Sequence, residues 1–354
     1  MYTRDQTKRL TVGNVTVGGG APVRVESMTK TDPRDVAATL AQLERMAAAG
    51  CELARAAVPD LDAARAFGAV AARSPLPVMA DIHFDYRLAL AVMEAGAAAI
   101  RLNPGNITKP DQLATVAREA RARGVVARVG ANAGSLPRDA TAHAGGDVAR
   151  ALADAALGAV RRLEDVGLTD LIVSAKATSP RVTYDANVAL AQAVAYPLHI
   201  GVTEAGFGDA GVVRSAAGLA LLLAAGLGDT LRVSLTDEPE REVAVGYDVL
   251  RAFDLRRRGP TLISCPGCGR AEVDVRGLAA RVAAALAGVD YDATVAVMGC
   301  AVNGPGEARS ADVGLAGGRG RGVVYRKGEI VRAEVEEKLV GALLAELATW
   351  AAER

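Results

Sequence analysis

Residues 51–83 read CELARAAVPDLDAARAFGAVAARSPLPVMADIH. Two short apolar runs, Cys51–Val58 and Pro77–His83, flank an alanine-rich stretch. That is the strand–helix–strand pattern of a parallel βαβ unit. The same alternation continues from about residue 22 to 257. Strand-like runs fall at Pro22–Thr29, Cys51–Val58, Pro77–His83, Ala99–Gly105, Val125–Ala133, Asp170–Ala177, Pro197–Ala205 and Asp229–Thr236. Helical spacing lies between them: in Asp35–Ala48, Leu40, Leu43 and Met46 share one face. Gly50, Gly96, Gly124, Gly167 and Gly228 stand where helices should end. Eight βα units over roughly 235 residues predict an α/β fold of the (β/α)8 TIM-like barrel type, whose usual size is about 250. A doubly wound sheet would want a glycine-rich phosphate loop after its first strand. Here the first strand runs into SMTKTDP instead.

Ahead of the barrel, LTV and VTV flank Gly13-Asn14, a hairpin expected to plug the barrel floor. After Leu255 the pattern changes. RRRGP reads as a linker, followed by TLISCPGCGR and a small α+β domain. In it we expect a helix at Arg276–Ala287, a strand at Ala293–Gly299, a hairpin tipped by Lys327-Gly328 and a final helix from about Ala333. The division falls at 1–257 and 258–354.

Lys plus Arg number 41, as do Asp plus Glu, so the chain is formally neutral. That argues against a general nucleic-acid binder or a polybasic membrane binder. Hydrophobic residues at 51% and charged ones at 23% describe a globular chain, and 3% aromatics leave little material for base stacking. The longest apolar stretch, near Leu219–Leu227, falls short of the roughly 20 residues of a membrane span. MYTRDQTKRL carries no apolar signal core, so a cytoplasmic location is expected.

Barrel active sites sit at the C-terminal ends of the strands. The polar residues there are Ser27, Thr29, Arg55, Asp81, His83, Arg101, Asn103, Arg128, Asn132, Lys176, Thr203, Glu204, Arg232 and Ser234. Arg55, Arg101, Arg128 and Lys176 converge on one mouth, and several planar cations call for a ligand with more than one negative charge, a diphosphate. For Arg232 a one-residue slip would turn the side chain outward. Asp81 and His83, two apart, share a strand face. With Glu204 they form an acid, a base and an orienting imidazole. His199 reads as structural near the floor, and His143 as a surface residue. Lys176 also admits a Schiff-base role, which would make the chain a phosphosugar aldolase with a structural metal domain.

Cys265-Pro-Gly-Cys268 and Cys300 make an incomplete four-ligand set. Cys51, at the start of a strand, is a small buried residue. The local candidate for the fourth ligand is Glu307 in GCAVNGPGEA, carried back by the Gly304-Pro305-Gly306 turn. A redox Cys-x-x-Cys couple would not need Cys300. A zinc site would prefer a closed Cys/His set, and no His follows His199. A 4Fe-4S cluster with three thiolates and one carboxylate fits best. The carboxylate is then exchangeable, so the iron it binds can accept a substrate oxygen. A non-catalytic iron–sulfur carrier would want four sulfurs.

The stretches VGNVTVGGGAPVRVESMT, ADIHFDYRLAL, IRLNPGNI, RVGANAGSL, VSAKAT, YPLHIGVTEAG, GDTLRVSLTDEP, ISCPGCGR and GCAVNGPGEA cover almost the whole chain in order. Together they resemble the bacterial 4-hydroxy-3-methylbut-2-enyl diphosphate synthases, two-domain iron–sulfur oxidoreductases of isoprenoid biosynthesis by the methylerythritol phosphate pathway. Glu26 stands where the family pattern leads one to expect Gln, and alanines flank Arg55. The resemblance implies Cys265, Cys268, Cys300 and Glu307 as cluster ligands. It implies Arg55, Arg101, Arg128, Asn132, Lys176 and Ser234 on the diphosphate, with Asp81, His83 and Glu204 near the carbon skeleton and Asn303 between substrate and cluster. It further implies reductive dehydroxylation and ring opening of 2-C-methyl-D-erythritol 2,4-cyclodiphosphate, with electrons from reduced ferredoxin or flavodoxin.

Topology adds one expectation. The eighth helix, about Glu238–Leu255, returns the chain to the barrel floor, descending roughly 25 Å. Some nine residues then precede Cys265, reaching at most about 30 Å. A head-to-tail homodimer, each cluster domain capping the partner's barrel, follows. Arg256–Arg258 and the glycine-arginine run at 317–322 read as a solvated linker and loop, with steering of an acidic electron donor as the other use.

Overall fold

The computed structural model describes residues 1–103, 109–137 and 139–354, in two units, Met1–Arg256 and Arg257–Arg354. The first unit opens with a hairpin, β1 (Leu10–Val12) and β2 (Val15–Val17), turned at Gly13-Asn14. Eight parallel strands follow: β3 (Arg24–Met28), β4 (Leu53–Val58), β5 (Val78–Ile82), β6 (Ala99–Leu102), β7 (Val126–Asn132), β8 (Leu171–Lys176), β9 (His199–Ile200) and β10 (Thr230–Leu231). Their order is β8-β7-β6-β5-β4-β3-β10-β9, and a parallel bridge from Val173 to Leu198 joins the two ends. The predicted barrel is therefore present, with every expected run contributing a strand. The last two strands are far shorter than their apolar runs. Of the run Ala99–Gly105, Pro104 and Gly105 lie outside the described residues.

The helices are α1 (Val36–Ala48), α2 (Leu61–Arg73), α3 (Tyr86–Glu94), α4 (Pro110–Arg123), α5 (Ala140–His143), α6 (Val148–Asp165), α7 (Pro180–Ala193), α8 (Gly208–Ala224) and α9 (Pro239–Ala252). Several begin on side-chain caps placed just after a strand. Asp35 accepts from the Ala38 amide, Asp60 from Ala63, Asp85 from Arg87 and Ser179 from Val182. Each cap contributes about 1 kcal/mol and fixes where a strand-top loop ends. Leu40, Leu43 and Met46 are buried, as their spacing predicts.

Period-2 alternation layers the barrel interior. Leu53, Met79, Ala99, Val126 and Ile172 form an apolar floor that packs against Leu10, Val12 and Val17 of the hairpin, the expected plug. Two residues further along the same strands stand Arg55, Asp81, Arg101, Arg128 and Ser174. The side chains change from apolar to ionic within one strand period.

The second unit is a five-stranded sheet in the order β11 (Thr261–Ser264), β12 (Thr294–Met298), β13 (Val313–Gly318), β14 (Arg321–Arg326), β15 (Glu329–Val335). Val295 and Val297 face a core with α10 (Val275–Leu286) and α12 (Glu336–Ala352), closed by Trp350. Ala296 and Met298 face α11 (Gly304–Ser310) through Ala308. Three expectations need correction. The C-terminal helix starts at Glu336, because Ala333 is in β15, paired with Val323. Gly304-Pro305-Gly306 is the first turn of α11, where proline's missing N–H costs nothing. The run at 317–322 is the hairpin between β13 and β14, where a Cβ on Gly317 would lie 2.3 Å from Val273.

Asp229 gives a stability prediction. It is buried, and accepts from the Leu198 amide and the Thr7 hydroxyl. Burial pushes its carboxyl up to about 6 from an ordinary 3.8. The folded state then holds a proton that the unfolded state releases, so stability falls as pH rises from about 4 to about 6. Asp229→Asn should remove that slope, read as urea midpoints across the same window, and gain on the order of 1–2 kcal/mol at pH 7.

Candidate functional site

At the top of the barrel, Arg55, Arg101, Arg128, Gly130, Asn132, Ser174, Lys176, His199, Thr203, Arg232 and Ser234 line one concavity. All six residues expected on a diphosphate are among them, and Arg232 faces inward with them. Five of the lining residues are cations.

Burying so much positive charge requires compensation. Asp81 supplies part of it. Its carboxylate lies 3.0 Å from Arg101, 3.8 Å from Arg55 and 3.5 Å from His83. Burial would raise its carboxyl, yet Arg55, His83 and Arg101 hold it well below the usual carboxylate range. Arg101 also contacts His83 at 2.9 Å and donates to the Gly130 carbonyl at 3.1 Å. Gly130 is required there, since a Cβ would lie 2.7 Å from the Arg101 guanidinium. Asp81 and His83 thus share a face, as predicted, and their first contact is a cation.

Sequence reasoning missed Glu26 and His199. Glu26, 1% exposed, sits across the lumen from Arg128 and takes its guanidinium as a fork, at 2.5 and 3.0 Å. Burial opposes its charge, but Arg128 and Arg55 together pull its carboxyl below the ordinary value. Arg55 lies 3.9 Å from Glu26, and among the described residues its buried Nε has no hydrogen-bond partner. A donor so placed awaits an acceptor. His199 was expected near the floor; it stands among the cations. Its Nε2 lies 2.8 Å from the Lys176 Nζ, and its Nδ1 lies 2.8 Å from the Thr230 hydroxyl. Burial drives both Lys176 and His199 well below their ordinary values, and the surrounding arginines add to it. The parallel bridge from Val173 to Leu198 sets His199 beside Ser174 of the ionic layer.

Other expected residues lie apart. Glu204 is exposed on the loop after β9, with a left-handed backbone (φ 51°). Ser27 bonds Glu242 on α9, outside the lumen, and Thr29 contacts the Arg55 carbonyl. His143 is exposed. Cys51 is buried against the Leu53 carbonyl, its thiol pushed up to about 12 by burial, consistent with a structural role. Arg256 is fixed on Glu52 and the Val23 carbonyl rather than solvated.

In the second unit, Cys265 follows β11 and Cys300 follows its parallel neighbour β12, while Cys268 is exposed between β11 and α10. All three are free thiols. The Cys265 sulfur accepts from the Gly267 amide. The amides of Val302 and Asn303 hold the Cys300 thiol below its ordinary value. Thiolates receiving backbone N–H bonds suit an iron–sulfur cluster, in which each cysteine binds its own iron. Among the described residues no three His, Cys, Asp or Glu converge as a single-ion site. Glu307 and Asn303 are exposed at the N-terminal end of α11.

Residues 7–247 match the GcpE TIM-barrel domain and residues 261–349 the GcpE protein C-terminal domain. The chain belongs to the GcpE family. Relatives in this family span its full length. The 4-hydroxy-3-methylbut-2-en-1-yl diphosphate synthase (flavodoxin) of Geobacter sulfurreducens is 52% identical over 349 residues, 99% of each chain. That of Dehalococcoides mccartyi strain CBDB1 is 47% identical over 99% of this chain and all of its own. The GcpE match divides where the barrel and the five-stranded sheet do, so one family assignment covers both the cationic mouth and the three thiols. No helix among the described residues is long and apolar enough to cross a membrane.

Proposed function

We propose that the chain is a 4-hydroxy-3-methylbut-2-enyl diphosphate synthase. It converts 2-C-methyl-D-erythritol 2,4-cyclodiphosphate to the linear diphosphate with electrons from reduced flavodoxin. The observation that carries this is the cationic mouth with its orphaned Arg55 donor, on a chain that also bears three free thiols in a separate sheet. The cyclic dianion takes up two electrons and one proton and gives a linear trianion and water. Cys265, Cys268, Cys300 and Glu307 would hold a 4Fe-4S cluster, which when bound supplies the electrons one at a time and a Lewis acid for the departing oxygen.

The barrel residues do the rest. Arg55, Arg101, Arg128 and Lys176, with Asn132 and Ser234, grip the phosphates and stabilise the charge that grows when the ring oxygen leaves carbon. Asp81 fixes Arg101 and His83 beside the carbon skeleton. Glu204, open to solvent, is the proposed proton donor, and Asn303 the contact between substrate and cluster. Holding the diphosphate by its charge leaves the sugar carbons facing outward from the mouth.

Two exposed aromatics, Phe84 and Phe207 at 77% and 76%, stand on the loops that follow β5 and β9. Arg256, tied to the strand-start residues Val23 and Glu52, shows that the chain leaves the barrel at its floor. Nine residues on, Cys265 is within about 30 Å of that exit. Both observations support a head-to-tail homodimer in which a partner's cluster domain caps the mouth.

The activity is tested by anaerobic turnover of the cyclic diphosphate with reduced flavodoxin. A brown protein releasing the linear diphosphate is expected; borohydride trapping of substrate on Lys176 would indicate an aldolase instead. Mixing Cys300→Ala with Arg55→Gln chains should restore up to about a quarter of wild-type activity by pairing intact sites. No recovery, with mixed dimers shown to form, would exclude the capping arrangement.

A further inference from the structure

Among the described residues five cations line the mouth, and the carboxylates set among them are Glu26, Asp81 and Glu242. Asp81 stands beside His83 at the rim side. Glu242 is reached from outside the lumen by Ser27 and is shared with Lys30. Glu26, like Asp81, lies in the lumen, but it is 1% exposed and stands on the strand opposite Arg128. Its two oxygens occupy the Arg128 fork, and one of them is also 3.9 Å from Arg55 and 3.6 Å from His199. Arg128 is 1% exposed, so its fork does not turn elsewhere without leaving a buried carboxylate unpaired.

A carboxylate at this place does two things to an anionic ligand. It cancels one positive charge among the cations that would hold the phosphates. It also repels the ligand in proportion to the ligand's charge. The proposed reaction raises that charge from two on the ring to three on the linear product. Resting on that reading of the site, we propose that Glu26 is a specificity-determining residue, whose carboxylate, clamped on Arg128 in the cradle, favours the doubly charged cyclic diphosphate over triply charged linear diphosphates. A mouth built only for anion affinity would place an amide here, which fills the same volume and still accepts from Arg128. The carboxylate gives up affinity that grows with ligand charge and so speeds departure of the linear form.

The groups facing Glu26 are Arg55, Arg128, Lys176 and His199, with Arg232 beyond and the Cys51 thiol nearby. The cations hold it ionised, so its effect persists through neutral pH.

The test is calorimetric binding to the full-length holoenzyme of two probes, inorganic pyrophosphate and the cyclic substrate without reductant. Glu26→Gln should raise the preference for pyrophosphate over the cyclic compound about tenfold or more. Glu26→Gln/Arg128→Gln removes one charge of each sign and should return the preference to within about threefold of wild type. An unchanged preference in a folded Glu26→Gln protein overturns the proposal. Should that variant not fold, the double variant decides alone: a preference within the threefold range supports it, and a larger change overturns it. Wild-type protein that binds neither probe would remove the reading of the site itself, a different outcome from binding both with no effect at Glu26.

Discussion

Cys300→Ala is expected to abolish both the brown colour of the anaerobically reconstituted protein and its turnover, the latter by at least about 10³-fold. Cys300 lies in the loop after β12, and its sulfur receives the amides of Val302 and Asn303. Those amides are poised for a thiolate, and alanine offers them nothing to bond. The side chain is not part of either core cluster of the second unit, so circular dichroism and the urea midpoint should hardly change. Cys51→Ala is the control. Its thiol is buried and pushed up to about 12, so it serves as a small core residue and not as a ligand. That variant should keep iron and sulfide counts at wild-type levels. If Cys300→Ala retained its full iron and activity, the cluster assignment would fail.

Arg128→Met should destabilise the barrel by about 3–5 kcal/mol, because it leaves the Glu26 carboxylate buried with no fork to hold it. The volume is roughly kept, so the loss reports charge rather than a cavity. Combining it with Glu26→Gln should recover most of that stability while diphosphate binding stays weak. Urea unfolding of the two single variants and the double gives the coupling directly. Additive losses would mean that the two side chains do not act as a pair. The prediction separates the two roles of Arg128, as a structural partner of Glu26 and as a ligand cation, since only the second is lost in the double variant.

Much of this is legible in the amino-acid sequence. Arg55, Arg101, Arg128 and Lys176 announced themselves because charges inside apolar strand runs have no purpose in a purely structural barrel. Asp81 and His83 followed from a spacing of two. The three cysteines were readable because their spacing and flanking glycines are local. Other features were not legible. His199 was assigned to the floor because an apolar run does not show where its ladder of hydrogen bonds begins, and β9 is two residues inside a nine-residue run. Glu26 looked like a change of one amide for one acid. Its importance comes from Arg128, 102 residues away in the chain and opposite across the lumen. Glu204 ends its apolar run as the other site residues do, yet the chain has already left the sheet, and the side chain is in solvent. The helix start at Ala333 failed because charged, β-branched alternation in β15 continues three residues further before α12 begins.

The amino-acid order alone determined the number of βα units, the apolar floor beneath the ionic layer and the three thiols, because each depends on periodicity or on neighbours a few residues apart. Which charge meets which depends on how the barrel closes. Closing the sheet sets strands four places apart face to face, and because Glu26 and Arg128 are buried there, the pairing across that gap determines which cations remain for a ligand.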